Sequence, residues 1–247
     1  YDDDINLFEG RWHLAQYALL IALLLAAPWL LGVYYLGELT AVLIWSLAGL
    51  GLMLISGHTG QVSLGHAAFM AIGAFTNLAL MMRGWHFIPA LLASAVSSGV
   101  IGAIISRPIL RMSGIYLAIA TLALSIIIED VSIMAESITG GVAGLFAPPI
   151  DLFGMTIDRY SSPRAFYYLC LAVLVIVTLG YLNLLRSASG RSFLAVRDSE
   201  VSARALGVNV ARAKTLSFAL SCAMTGLAGA LYAHLAQAVN YESFLVL

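Results

Sequence analysis

The residues best equipped for chemistry lie in one short run, Ser56-Gly-His-Thr-Gly-Gln-Val-Ser-Leu-Gly-His66, set between apolar stretches of helical length. It gathers three glycines, two histidines, Thr59, Gln61 and two serines, with no carboxylate and no cysteine. Three chemistries compete for it. Ser63 near a histidine is the minimum for the nucleophile of an intramembrane protease, but the compact Gly-x-Ser-Gly form is missing. His58 and His66 offer two imidazoles eight residues apart with no third ligand beside them, a poor metal set, and no metal is expected. The third reading is a solute path. Non-helical backbone at membrane depth survives only where protein or a water-filled cavity surrounds it, and it presents free N–H and C=O groups to a solute. On that reading His58, Gln61, Ser63 and His66 line the path. A tight interhelical turn, with glycines for close packing, is the structural alternative. A second candidate is Glu129, next to Asp130. At about 1.5 Å per residue it stands roughly 22 Å along the helix axis from Gly114. There its carboxylate can face the path, pair with a neighbour or mark the helix end.

The elements that must position these groups follow from composition. The chain of 247 residues is 61% hydrophobic and 10% charged. That excess of apolar surface, in runs that match a hydrocarbon core of about 30 Å, implies an all-α polytopic membrane protein. About seven such runs are expected, near 13–32, 39–56, 61–82, 87–106, 113–134, 163–185 and 214–238, with a broken-helix segment near 57–66. They form a single transmembrane domain over 1–247. The first residue is Tyr1 rather than Met, so residues are expected before it. Small residues recur every fourth position as Ser94, Ser98, Gly102 and Ser106, and again as Ser217, Ser221, Thr225, Gly229 and Ala233. Such faces let membrane helices approach closely. Cys170 and Cys222 fall in apolar runs and are read as packing residues.

The one strongly basic segment is Arg186 to Lys214, with six basic residues against two acids. Excess Lys/Arg in a short inter-helix loop marks the cytoplasmic side. Counting back places 135–162 outside, 107–112 inside with Arg107 and Arg111, 83–86 outside, 57–60 inside, 33–38 outside and the N-terminus in the cytoplasm. Within the segment, Asp198 or Ser199 can cap a short helix, Val201, Ala205 and Leu206 give it an apolar stripe, and Gly207 can end it. This pattern suits docking of a soluble partner, and also an unpartnered solvated loop. The outer segment, with Thr139-Gly-Gly, Gly144 and Pro148-Pro149, reads as an ordered, turn-rich loop.

No catalytic apparatus is expected. The chain has one lysine and no P-loop sequence, so it cannot cradle a nucleotide in a P-loop. Driven transport would draw energy from another subunit or from an ion gradient.

At this point four stretches carry a resemblance: Gly57-His-Thr-Gly-Gln-Val-Ser-Leu-Gly-His66 running on to Phe75; Arg111-Met-Ser-Gly-Ile-Tyr-Leu-Ala-Ile-Ala-Thr-Leu-Ala123 running on to Glu129; Thr139-Gly-Gly with Gly144; and Gly190-Arg-Ser-Phe-Leu-Ala-Val-Arg-Asp198 with Ala205-Leu-Gly-Val208 and Thr215-Leu-Ser-Phe218. From about Leu36 to Tyr241 the chain resembles the LivM-type permease subunit of branched-chain amino acid ABC importers. The resemblance implies a transport subunit of a bacterial inner membrane, not an enzyme. It implies a second homologous permease subunit, two cytoplasmic ATP-binding subunits carrying ATP and Mg, and a periplasmic solute-binding protein. No cofactor is bound directly, lipid surrounds the chain, and nucleic acid has no role. The 191–208 segment is then the coupling helix within the 186–214 loop, with Arg191, Arg197, Asp198, Ala205 and Gly207 as coupling positions. Family members continue with further helices, so Leu247 is expected to lie inside a longer protein. Val142 and Ala143 stand where members often carry polar residues. An ion-coupled secondary transporter, using Glu129, Asp130 or the histidines, stays open beside this reading.

Overall fold

The computed structural model describes residues 11–109, 114–152 and 154–244. The acidic start of the chain and Arg111 lie outside the described residues. Apolar runs become helices α1 (Arg11–Leu30), α2 (Val33–Leu52), α3 (His66–Met82), α4 (Phe87–Ile109) and α5 (Ile115–Met134). They are followed by a short α6 (Glu136–Thr139), then α7 (Pro163–Arg186), α8 (Ala188–Asp198), α9 (Glu200–Ala205) and α10 (Val210–Ala236). Among the described residues five spans are long and apolar enough to cross a membrane: Val33–Gly57, Phe87–Pro108, Ile115–Met134, Pro163–Arg186 and Val210–Ala236. Two apolar helices, Ala15–Leu30 and His66–Met82, are shorter. The chain is a multi-pass α-helical membrane protein.

Helix α10 is the axis of the bundle and packs against α4, α3 and α2. The small-residue faces meet there. Ser94, Ser98 and Ser106 of α4 are fully buried, as are Ser217 and Ser221 of α10. Close backbone approach thus replaces large interlocking side chains on this seam. Larger side chains fill the outer seams, where Leu36, Ile44 and Leu47 of α2 pack with Phe166, Tyr167 and Cys170 of α7.

Helix α1 is tied to α7 at its proline. Pro28 has no N–H, so the carbonyl of Leu24 loses its helical donor. The Tyr167 hydroxyl donates to that carbonyl at 2.9 Å, and the Tyr168 hydroxyl donates to Leu25 O at 2.9 Å.

Two expectations change. The 33–38 stretch is not a loop: it forms the first turns of α2, and only Leu31 and Gly32 separate it from α1. Glu38 is exposed, so a carboxylate in that turn needs no buried partner. The 135–162 segment is more structured than a run of turns. It holds α6 and the antiparallel hairpin β2 (Ile150–Leu152)–β3 (Met155–Ile157), and its β1 (Leu145–Phe146) pairs with β4 (Ala238–Val239) beyond α10. The β1–β4 pairing is set by a distant strand, so local glycines and prolines do not announce it.

Candidate functional site

The broken segment begins inside α2. Its last turn widens into a π-turn, Met53–Gly57. Side chains hold the carbonyls of that turn: the Ser56 hydroxyl donates to Leu52 O and the Thr59 hydroxyl to Leu54 O, five residues back. The Gln61 N–H closes the turn on Ile55 O at 3.0 Å. Gly60 then takes φ +68, which L residues rarely adopt, and the chain stays irregular until α3 begins at His66. The irregular backbone therefore spans 60–65, narrower than the 57–66 expected. Helical wrapping continues past Gly57 because side chains satisfy the carbonyls that a sharper end would leave free.

Four of the candidate path residues lie at this break. Gln61, Ser63 and His66 are buried and His58 is partly exposed. His66 sits between two hydroxyls, with Nδ1 2.9 Å from Ser63 Oγ and Nε2 2.6 Å from Ser221 Oγ. Ser221 in turn donates to Gly51 O at 2.6 Å. The donor count therefore fixes the directions: Nε2–H donates to Ser221 and Ser63 O–H donates to Nδ1. This chain stitches α3 to α10 and α2. The Ser63–His66 contact is the one a protease would need, but the third member is a serine rather than an acid, and both groups are buried. Gln61 Nε2 donates to Ser217 at 3.1 Å, while its Oε1 is buried without a partner among the described residues. His58 Nδ1 lies 3.0 Å from the Tyr181 hydroxyl and 3.2 Å from Met53 O; it accepts from the first or donates to the second, according to tautomer.

Glu129 is placed elsewhere. It lines a cavity of about 250 Å³ between α3 and α5, walled by Ala71, Phe75, Leu122 and Ile126. Ser125, one turn before it, also lines this cavity, and its hydroxyl is buried with no partner among the described residues. A carboxylate and a spare hydroxyl thus share an apolar chamber. Such a pair can receive an ammonium group while the walls take a hydrocarbon side chain.

The basic segment reaches the break directly. Helix α8 buries Gly190, Phe193 and Val196 against the bundle, and Arg191 points outward with Nη1 donating to Arg186 O. At its end, Arg197 Nη1 donates to Gly57 O at 3.0 Å, and its Nε and Nη2 both bind Asp198 Oδ1 at 3.2 Å. The single helix expected over 191–208 is two. Ser199 has extended backbone and its side chain caps α9 by accepting from Ser202 N. The predicted apolar stripe faces away from the bundle. Ala203 is buried, whereas Ala205 is exposed, Val201 is 80% exposed and Leu206 82%. Gly207, at φ +84, ends the turn. An ion pair of 2.6 Å between Glu200 and Lys214 fastens α9 to α10. The Lys214 side chain is nearly buried, so Glu200→Gln should strand its charge and cost about 1–3 kcal/mol, the exposed carboxylate limiting the loss. Faster limited proteolysis between residues 199 and 209, with α10 otherwise intact, is the expected readout.

Several partners were hidden in the sequence. Ser217 and Ser221 read as packing residues, and Tyr181 sits in an apolar run. Asn77, whose Oδ1 lies 2.8 Å from His234 Nε2, had no signal beyond being an amide in an apolar helix.

Fold and site together define a multi-pass membrane protein whose polar interior is wired to a basic segment outside the bundle. Residues 34–247 match the family model described as branched-chain amino acid transport system / permease component, and the chain belongs to that family. It is 34% identical over 228 residues to the high-affinity branched-chain amino acid transport system permease protein LivM of Salmonella typhimurium, covering 83% of this chain and 53% of that protein. To the LivM protein of Escherichia coli it is 33% identical over 248 residues, covering 91% of this chain and 58% of the relative. It is 25% identical over 224 residues to an autoinducer 2 import system permease protein, LsrC, of Escherichia coli, covering 87% of this chain and 62% of the relative. The chain spans about half the length of the LivM relatives it matches. No solved structure matches it.

Proposed function

We propose that the chain is the larger part of one permease subunit of an ATP-driven importer in a bacterial inner membrane, with its N-terminus in the cytoplasm. Its function is to form half of the translocation path for a small polar solute, most simply a branched-chain or related amino acid. A second homologous permease supplies the other half, two cytoplasmic ATP-binding subunits hold ATP and Mg, and a solute-binding protein delivers from the periplasm. The chain itself catalyses nothing.

The observation that carries this reading is the Arg197–Gly57 hydrogen bond, which joins the basic segment to the break in the interior. Val201 on α9 and Leu206 just past its end stand exposed, where an ATP-binding subunit can seat them, with Ala205 and Gly207 beside them and Arg191 on α8. Movement of α8 and α9 is then delivered to residues 57–66, and alternating access follows if ATP binding favours one arrangement. Gln61, Ser63 and His66 serve this motion as the hinge that links α2, α3 and α10, with His58 at its rim. Glu129 and Ser125 meet the solute's ammonium group, and the walls of that cavity take its branched side chain. The relatives named for branched-chain amino acid transport support that solute class.

The test is purification of the tagged full-length protein from its native membrane, followed by leucine uptake in proteoliposomes. A second multi-helix permease and P-loop ATPases should co-purify, and uptake should need ATP. A chain that purifies alone and follows a proton gradient without ATP would sink the proposal. Glu129→Gln should lower leucine uptake about tenfold or more, the loss of a charge-assisted contact, and leave the amount of assembled complex unchanged. Wild-type uptake in that variant would remove Glu129 from the path.

A further inference from the structure

Beyond the solute path, we infer that a groove between the last turn of α4 and the first turn of α10 binds the phosphodiester headgroup of an anionic phospholipid. The groove is about 520 Å³, and Arg107 and Arg212 both line it. Its floor is apolar, with Ala103, Leu216 and Ala219, and Thr215 adds a hydroxyl. Arg107 closes the apolar span Phe87–Pro108 and Arg212 opens the span Val210–Ala236, so both guanidinium groups sit at a membrane boundary. A lipid needs this combination, with cations at headgroup depth and hydrocarbon contact above them.

Both arginines are exposed, and neither side chain has an ion-pair or hydrogen-bond partner among the described residues. The acids of the nearby segment are committed elsewhere, Asp198 to Arg197 and Glu200 to Lys214. Two uncompensated guanidinium groups in one groove match the forked geometry that phosphate oxygens accept. The positive end of α10 adds to the field. Arg212 also borders a second groove of about 360 Å³ with Ser189 and Ser192 of α8, so a headgroup held here would touch the start of the basic segment. An acidic protein surface would meet the charges but leave unexplained the apolar lining, drawn from the ends of two apolar spans.

The experiment is native mass spectrometry of the full-length complex, titrated with phosphatidylglycerol or with phosphatidylcholine in detergent. Phosphatidylglycerol should bind preferentially, and Arg107→Gln/Arg212→Gln should weaken it about tenfold or more, the effect of two interfacial charges. Arg107→Lys/Arg212→Lys, which keeps the charges but not the forks, should bind between the wild type and the Gln variant. Because both side chains are exposed, the variants should assemble normally, which the same spectra report. Three results would overturn the inference: unchanged phosphatidylglycerol binding in the Gln/Gln variant, equal displacement by millimolar inorganic phosphate, or loss of a protein subunit with lipid binding unaltered. The second would mark a soluble-anion site and the third a protein interface.

Discussion

Gly229→Val should leave little or no folded protein, the largest effect expected of any single substitution in this chain. A Cβ at Gly229 would fall on the Met70 carbonyl of α3, and one at Gly73 would fall on the Gly226 carbonyl of α10. Backbone atoms cannot turn aside as a flexible side chain can, so the two helices would have to separate. They are not free to do so. On its other sides α10 is also tightly packed, though less closely: a Cβ at Gly51 of α2 would lie 2.8 Å from Ser221 O, and one at Gly102 of α4 would lie 2.7 Å from Cys222 Sγ. Ordinary overpacking costs about 1–3 kcal/mol, and a backbone collision at a three-sided seam should exceed that range. The hydrogen bonds from His66 to Ser221 and from Gln61 to Ser217 would open with the seam. Gly49→Ala is the control, because a Cβ there meets nothing within 4 Å. Size-exclusion profiles of detergent extracts should show loss of the monodisperse peak for Gly229→Val and a normal peak for Gly49→Ala. Wild-type yield from Gly229→Val would mean that α3 and α10 do not cross as described.

That seam also shows what a sequence can carry. Small residues at every fourth position of α4 and α10 announced close approach, because the helical period writes a packing face directly into the chain. The break at 60–65 was visible for the same local reason, since glycines and polar groups interrupted an apolar run. The identity of the partners was not visible. Ser221 lies 155 residues from His66, and Arg197 lies 140 from Gly57. No periodicity encodes such a pairing; it arises only when α10 and α8 fold back against α2. The facing of the short basic segment was hidden for a related reason. Val201, Ala205 and Leu206 have the spacing of an apolar stripe, but only the fold shows that Ala203 turns inward and they turn out, with the Glu200–Lys214 ion pair fastening α9 to α10. Glu129 had three readings, as path residue, paired acid or helix end. Its position with Ser125 in a shared cavity is known only from how α3 leans on α5, and the proposed path role rests on it.

Arg197 is where the coupling proposal meets its hardest test. Its guanidinium supplies one N–H to Gly57 O, at the end of the helical wrapping of α2, and two to Asp198. A cation is favoured there by the helix dipole as well as by the hydrogen bond. Its side chain is 45% exposed and that of Asp198 70%, so the ion pair between them is solvent-screened and worth less than about 1 kcal/mol. The contact with Gly57 O matters more, because a charged donor to a carbonyl contributes about 1.5–3 kcal/mol. If that contact transmits motion from α8 to the break, Arg197→Ala should reduce ATP-driven uptake about tenfold to a hundredfold. Expression, membrane insertion and assembly with the ATP-binding subunits should be unchanged, because few buried groups depend on this side chain. ATP hydrolysis by the assembled complex should persist but no longer respond to solute, which separates lost transmission from lost docking. Asp198→Asn removes only the screened pair and should lower uptake by a few-fold at most. Arg197→Lys keeps the charge but not the fork, so it should fall between the two. Solute-stimulated hydrolysis and uptake at wild-type levels in Arg197→Ala would mean that force enters the bundle elsewhere, and the buried contacts of Phe193 and Val196 on α8 would then be the elements to vary.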